Sequence, residues 1–291
     1  MSVQHPIIAV TGSSGAGTTT VRKTFERIFW RENVNAALVD GDAFHKYTRA
    51  EMGAAIRTAE SSGHQPPSHF GPGSNLLPEL EELFREYGEQ GTGEFRHYIH
   101  DEVDAAAWGQ EIGTFTPWTP LPAETDMLFY EGLHGAFKHG TVDVAKHVDL
   151  LIGVVPTINL EWIQKIHRDT HMRGYSLEAV TQSILRRMHD YVHYITPQFS
   201  RTHINFQRVP VVDTSNPFIA RDIPAQDESM VVIRFADPRG VDFPYLVTMI
   251  NDSFMSRANT IVIPGGKLDL AMQLILTPRI WRLMEQRERR S

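Results

Sequence analysis

The sequence has 291 residues, 41% of them hydrophobic and 22% charged, with a formal net charge of −7. That composition suits a globular chain with a sizeable core, and the acidic balance argues against a general nucleic-acid binder. With no cysteine, disulfides, thiolate metal ligands and a cysteine nucleophile are excluded. The apolar stretch near Pro6 is too short for a signal segment or a membrane span, and no other stretch approaches roughly 18 uninterrupted apolar residues, so a cytoplasmic protein is expected.

Short apolar runs rich in β-branched residues predict strands over residues 6–10, 36–39, 127–130, 148–155, 209–212 and 230–235. Between them lie helical patterns. Val21, Phe25, Ile28 and Phe29 mark one helix; a second starts near Asn159, a third spans 176–195, and a last runs over 267–287 with Leu268, Leu270, Ala271, Leu274 and Ile275. Strands alternating with helices predict an α/β fold, a mixed but mostly parallel sheet covered on both faces. No repeat or linker divides the chain, so one domain over 1–291 is expected. Residues 61–75 and 109–126 are crowded with turn formers and predict long loops, either functional or plain surface insertions.

Gly12, Ser13, Ser14, Gly15, Ala16, Gly17, Thr18, Thr19 and Thr20 join the first predicted strand to the first helix. The spacing is that of a phosphate-binding loop, G-x-x-x-x-G-K-[ST], with Thr18 in place of the lysine. Glycines let the backbone curl until successive N–H groups face one anion, and the helix start adds its positive dipole end. The Thr19 hydroxyl is a candidate ligand for Mg²⁺. The competing reading is a plain Gly/Ser-rich turn. Without the lysine, a cation from elsewhere must neutralise the β- and γ-phosphates, or the chain binds nucleotide without catalysis.

Asp42 follows the second predicted strand, at the end where open α/β sheets place ligands. It is the candidate carboxylate that accepts a hydroxyl proton in phosphoryl transfer, although an Asp there can also be a turn former. Glu131 ends the 127–130 run and is the candidate carboxylate for Mg²⁺, against the alternative of a helix-starting acid. The run LEWIQKIHRDTHMRG carries Lys165 and Arg168 on one helical face and Arg173 before a glycine. It is either a solvated basic face or a mobile lid supplying the missing charge. His45 and His100 sit near strand ends among polar groups, where a polyol could be held. The i,i+4 pairs His167/His171 and His189/His193 lack the adjacent Glu of a zinc helix, and no zinc site is expected.

Five segments, GSSGAGTTT, DGDAFHKYTR, YEGLHG, NLEWIQKIHRD and NFQRVPVVDTSNPFIAR, together resemble the bacterial class of phosphoribulokinase over nearly the whole chain. The glycine loop alone is weak; the lysine-free loop followed by the other four in order is specific. The resemblance implies a P-loop kinase fold, ATP with Mg²⁺, and D-ribulose 5-phosphate as acceptor. It implies Asp42 as base, Glu131 at the metal, Lys165 as catalytic charge, and Arg168 and Arg173 on anionic ligands. It assigns His45, Arg49, Tyr98 and His100 to the sugar phosphate. It further implies NADH as activator, AMP as inhibitor, a large homo-oligomer (an octamer), and Arg31, Arg186, Arg187, Arg234 and Arg257 as effector-site candidates. By helical spacing Arg186 lies opposite the apolar stripe, and so is expected to be exposed or to reach a partner chain. Thr19 departs from the family pattern, where a serine is expected, but keeps a hydroxyl. A uridine-kinase-like enzyme is the rival within the fold, and Arg49 speaks for an acceptor that bears a phosphate. A catalytically dead nucleotide sensor and an ATPase or GTPase switch are the rivals of other classes.

Overall fold

Ile7–Thr11 (β1) is buried at every position because it lies at the centre of a sheet covered on both faces, which is why its sequence shows no polar alternation. The computed structural model describes residues 4–13, 17–172, 174–220 and 222–289. Its main sheet has eight strands. After β1 come Ala36–Asp40 (β2), Met127–Gly132 (β3), Leu150–Val155 (β4), Ile204–Pro210 (β5), Ser229–Phe235 (β6), Phe254–Arg257 (β7) and Thr260–Pro264 (β8). The spatial order is β7-β8-β6-β5-β4-β1-β3-β2. The five strands from β2 to β5 run parallel, and β6, β8 and β7 continue the sheet antiparallel.

The pleat of β1 sorts the core into two layers. Ile8 and Val10 pack with Phe25, Ile28 and Phe29 of Thr18–Arg31 (α1) and with Ala271, Met272, Ile275 and Leu276 of Leu268–Glu288 (α8). Ile7 and Ala9 face the other way, onto Leu80, Leu83, Phe84 and Tyr87 of Leu77–Gln90 (α3). A small third cluster, Ile166 with Val180 and Ile184, joins Ile158–His167 (α5) to Leu177–Asp190 (α6). Two helical elements that share so small a core are held more loosely than those on the main sheet.

The structure moves the fifth strand. Val211 and Val212 are apolar but lie 64% and 40% exposed beyond its end, and the ladder uses residues 204–210 instead. The two turn-rich segments are ordered connections. Residues 62–76 lead from Arg49–Ser61 (α2) to α3, and Leu76 and Lys46 bind back to Phe44 and Ser74 through backbone N–H groups at 2.7 and 2.9 Å. Within 109–126, Thr119–Pro120 pairs with Glu94–Phe95. Among the described residues no helix is long and apolar enough to cross a membrane.

Candidate active site

Parallel register brings three strand ends level. Glu131 of β3 lies opposite Asp40 of β2 on one side and Val10 of β1 on the other, and the Gly12 amide donates to Gly132 O at 3.1 Å. The glycine loop, the Asp40–Asp42 turn and Glu131 therefore share one edge of the sheet. Ser14, Gly15, Ala16 and Arg173 lie outside the described residues, as does the Thr19 side chain. Gly12 is packed so tightly that a Cβ would stand 2.8 Å from Val154 O. Gly17 has φ 98°, a left-handed conformation that favours glycine. Thr20 is exposed at the start of α1, and the buried Ser13 hydroxyl lies within reach of the Glu161 carboxyl. A tight glycine turn before a helix start suits a bound anion.

Thr18 is buried, and its hydroxyl hydrogen-bonds to Glu131. Burial nevertheless dominates at Glu131 and, with the charges of Asp40 and Asp42, pushes its carboxyl up to about 7. An acid held this far from its ordinary value of 4.5 favours a cation beside it. Arg22 of α1 is the nearby guanidinium, 3.6 Å from Asp40. The oxygens of Glu131 and Thr18 are of the type that hard divalent ions take. No group of three or more His, Cys, Asp or Glu among the described residues forms a separate metal cluster, and His167/His171 and His189/His193 simply stack, with ring centroids 5.2 and 4.2 Å apart.

Asp42 lies in the helical turn Gly41–Phe44 that follows β2. That turn is possible because Gly41 has no side chain: a Cβ would meet Tyr130 Oη at 2.5 Å and Gly132 Cα at 2.7 Å. Asp42 keeps 36% of its side chain accessible and contacts His45 Nε2 at 3.1 Å and His100 Nε2 at 3.6 Å. Burial works against its charge, but His45 above all, and then His100, hold the carboxyl well below the usual range. Asp40 beside it is pushed up by burial and by Asp42's charge. The pair is thus split into an ionised and a more readily protonated acid.

The predicted acceptor residues meet around this turn. Tyr98 stands edge-on to His45 and His100, at 6.2 and 4.9 Å between centroids. Arg49 opens α2, donates to His100 O at 3.3 Å and leaves its guanidinium exposed at the rim.

Lys165 and Arg168 belong to a second group. Both bind one carboxylate, Asp169, at 2.5 Å and 3.0 Å, as α5 passes into a wide π-type turn over Arg168–Met172. Burial, above all, lowers the ammonium of Lys165. Asp169 is missing from the residues singled out by sequence, though its position four after Lys165 and directly after Arg168 was a usable signal. Arg187 belongs here too. Its guanidinium lies over the Phe70 ring at 5.9 Å, in electrostatic reach of Lys165, Asp169 and His69.

The remaining arginines stand apart within the chain. Arg186 is half-buried, not exposed: it pairs with Glu60 of α2 at 2.9 Å, so the end of α2 lies against that face of α6. Arg31 donates to Gln273 and Thr277 of α8 at 2.8 and 2.9 Å. Arg234 and Arg257 are exposed and flank Thr260 on neighbouring strands.

Beside the glycine loop lies a cleft of about 120 Å³, lined by Gly17, Thr20, Val155, Pro156, Thr157, Glu161, Arg208, Gln226 and Gly265 among others. Its mixed lining and its place at the start of α1 suit a planar heterocycle attached to a phosphate chain. No motif announced it, since its walls come from five separate segments.

A parallel sheet with a glycine loop between its first strand and first helix, and acids on the adjacent strand ends, defines a P-loop phosphotransferase scaffold. The chain belongs to the phosphoribulokinase / uridine kinase family, whose model matches residues 7–215. It is 66% identical over 289 residues to the chromosomal phosphoribulokinase of Cupriavidus necator, covering 99% of each chain. It is 64% identical over 286 residues to the phosphoribulokinase of Nitrobacter vulgaris, covering 98% of this chain and 99% of that one. Among solved structures, phosphoribulokinase from Rhodobacter spheroides superposes with a TM-score of 0.91 at 58% identity, over 99% of this chain and all of that one.

The raised Glu131 carboxyl has a consequence for stability. A folded-state value near 7, above the ordinary 4.5, stabilises the fold at acid pH, and that contribution is lost as pH rises through 7. Glu131→Gln should therefore gain on the wild type between about pH 5 and about pH 8, by on the order of 2 kcal/mol, in denaturant unfolding of the ligand-free chain. Parallel curves for the two proteins would show that Glu131 carries no such penalty.

Proposed function

We propose that this chain is a phosphoribulokinase: it transfers the γ-phosphoryl group of ATP to the free terminal hydroxyl of D-ribulose 5-phosphate, giving D-ribulose 1,5-bisphosphate for the Calvin cycle. One observation carries the reading of the site. Asp42 is held ionised in an open recess beside the glycine loop and is rimmed by His45, Tyr98, His100 and Arg49. Nucleotide phosphates are taken by the Gly12–Thr20 loop, and the base by the cleft against Pro156, Arg208 and Gly265. Thr19 and Glu131 would hold Mg²⁺, which would supply positive charge to the nucleotide phosphates. The hydroxyl of the acceptor donates to Asp42, which orients its oxygen in line with the phosphorus and takes the proton as the P–O bond forms. Arg49 grips the phosphate already on the sugar, a task that suits a forked guanidinium, while Tyr98 and His100 hold the polyol and His45 lines its recess.

Lys165 and Arg168 replace the lysine that the loop lacks. They supply charge where it develops in the transition state, and Arg173 adds to the anionic contacts. The whole chain acts as one domain, in the cytoplasm, as a homo-oligomer of octameric size. NADH activates it and AMP inhibits it through Arg31, Arg186, Arg187, Arg234 and Arg257. Since these arginines are spread over both ends of one chain, that site requires neighbouring copies, and an effector would work by favouring one arrangement over another.

The test is coupled ADP release with a panel of acceptors: ribulose 5-phosphate, uridine, pantothenate and water alone. Ribulose 5-phosphate should be the efficient acceptor, and a preference for uridine would move the chain to the other branch of its family. In the same assay Asp42→Asn should lower kcat by about 10²–10⁴ with ATP binding retained. Near-normal turnover would remove Asp42 from its role.

A further inference from the structure

His45 is wedged between two oxygen atoms. Its Nδ1 lies 2.9 Å from Asn75 Oδ1, and its Nε2 lies 3.1 Å from Asp42 Oδ1. The proton on the first nitrogen is fixed by Asn75. The Asn75 amide nitrogen donates to two backbone carbonyls, His69 O at 2.9 Å and Gly71 O at 2.7 Å, so both of its N–H groups are used. Turning the amide over would set its oxygen against those carbonyls and its N–H groups against the ring. Asn75 Oδ1 is therefore an acceptor, and His45 Nδ1 carries the hydrogen.

A neutral ring with hydrogen on Nδ1 turns its Nε2 lone pair to an ionised Asp42 only once the imidazolium has lost its proton at alkaline pH; below that, two states of the pair remain. Either His45 is an imidazolium donating to the Asp42 carboxylate, or a neutral ring with its Nε2 lone pair faces a protonated Asp42. In both, one proton sits in the Asp42–His45 contact. The neutral form with hydrogen on Nε2, which would leave Nδ1 bare against another lone pair, is suppressed by Asn75. The frame is rigid: Asn75 is buried and forms a β-bridge with His45 itself.

We propose that Asn75 is a positioning residue for phosphoryl transfer: by accepting from Nδ1 it keeps His45 doubly protonated, with Nε2–H donating to one oxygen of Asp42. The other oxygen of Asp42 is thereby left to receive the acceptor hydroxyl. This rests on the reading of Asp42 given above. In the step itself the acceptor O–H bond breaks and its proton goes to Asp42 Oδ2. The oxygen bonds to the γ-phosphorus, and the bond to the β–γ bridging oxygen breaks, its electron pair leaving with ADP. His45 keeps its own protons throughout, and Asp42 returns its proton to water after product leaves.

The surroundings agree. Burial opposes a charged imidazole at His45, yet the charge of Asp42, the hydrogen bonds to Asp42 and Asn75, and Asp40 together raise it above its ordinary value. The other groups facing the pair are His69, stacked on His45 at 3.9 Å and pushed down to about 3 by burial, and His134, pushed down to about 4. Tyr98 meets the ring edge-on, His100 faces Asp42 Oδ2, and Arg96 donates to His45 O at 2.7 Å.

The test is the pH profile of kcat/KM for ribulose 5-phosphate, measured on the whole chain at saturating MgATP with two variants. Asn75→Leu keeps the size and removes the acceptor. Its alkaline limb should move down by about one pH unit, as the imidazolium loses a partner, with the KM for ATP unchanged. Asn75→Asp keeps an oxygen facing Nδ1, while its second oxygen takes a proton to serve His69 O and Gly71 O, so its alkaline limb should lie with or above that of the wild type. A Leu variant whose limb coincides with the wild type, with rates merely scaled, would reduce Asn75 to a loop anchor and overturn the proposal. So would an Asp variant that shifts downward, and that variant decides alone if the Leu variant does not fold. A wild type that phosphorylates no acceptor would instead defeat the functional reading on which this rests.

Discussion

The site is organised around a shortage of positive charge. Thr18 occupies the position from which a lysine would reach the phosphates, and it is buried against Glu131 instead of projecting into the cleft. Asp40, Asp42 and Glu131 crowd the same sheet edge, so the apo pocket is acidic where a polyphosphate must bind. Such a pocket is stable only because its acids are treated unequally: Glu131 and Asp40 are pushed up, and Asp42 is held down by His45 and His100. Acids in the protonated form repel an anion less, and the one that stays ionised is the one beside the acceptor recess.

The compensating charge is kept on a separate, lightly packed element. The α5–α6 pair shares only a small apolar cluster with itself and carries Lys165, Arg168 and Arg187 around the carboxylate of Asp169, with Glu161 in electrostatic reach. The desolvated Lys165 ammonium gains from any further anion. The Ser68–Gly71 segment ties this element to the acceptor recess. Ser68 donates to Asp190 of α6 at 2.9 Å, Phe70 packs edge-on against Tyr191 and lies under Arg187, and His69 stacks on His45. A shift of α6 is therefore felt at the ring that contacts Asp42.

Much of this was legible in the sequence, for physical reasons that differ by element. The parallel strands announced themselves because burial on both faces demands continuous apolar runs. Val211 and Val212 mislead because an apolar pair on a surface loop looks like a strand in one dimension. The spacing of Leu77, Leu80, Leu83, Phe84 and Tyr87 was a sufficient signal for α3, whereas α2 buries Met52 alone and offers almost none. Asp42, Glu131 and Lys165 stand out in the sequence because phosphoryl transfer needs those groups at such strand and helix positions. Asn75 could not be, since its role comes from two carbonyls and a ring brought to it by a turn. Arg186 and Arg187 lie opposite an apolar stripe, which reads as exposure, but the end of α2 and the Phe70 segment cover that face. Helical periodicity records what a helix packs on its apolar side and is silent about a loop laid over the polar one.

The central claim is that the lid lysine, not the loop, supplies the transition-state charge. Its most direct test compares ATP binding and single-turnover phosphoryl transfer in the wild type and in Lys165→Met. The account predicts an ATP dissociation constant within a few-fold of the wild type and a transfer rate lower by about 10²–10⁴. A variant that transfers at the normal rate once saturated, with only its ATP affinity weakened, would contradict it.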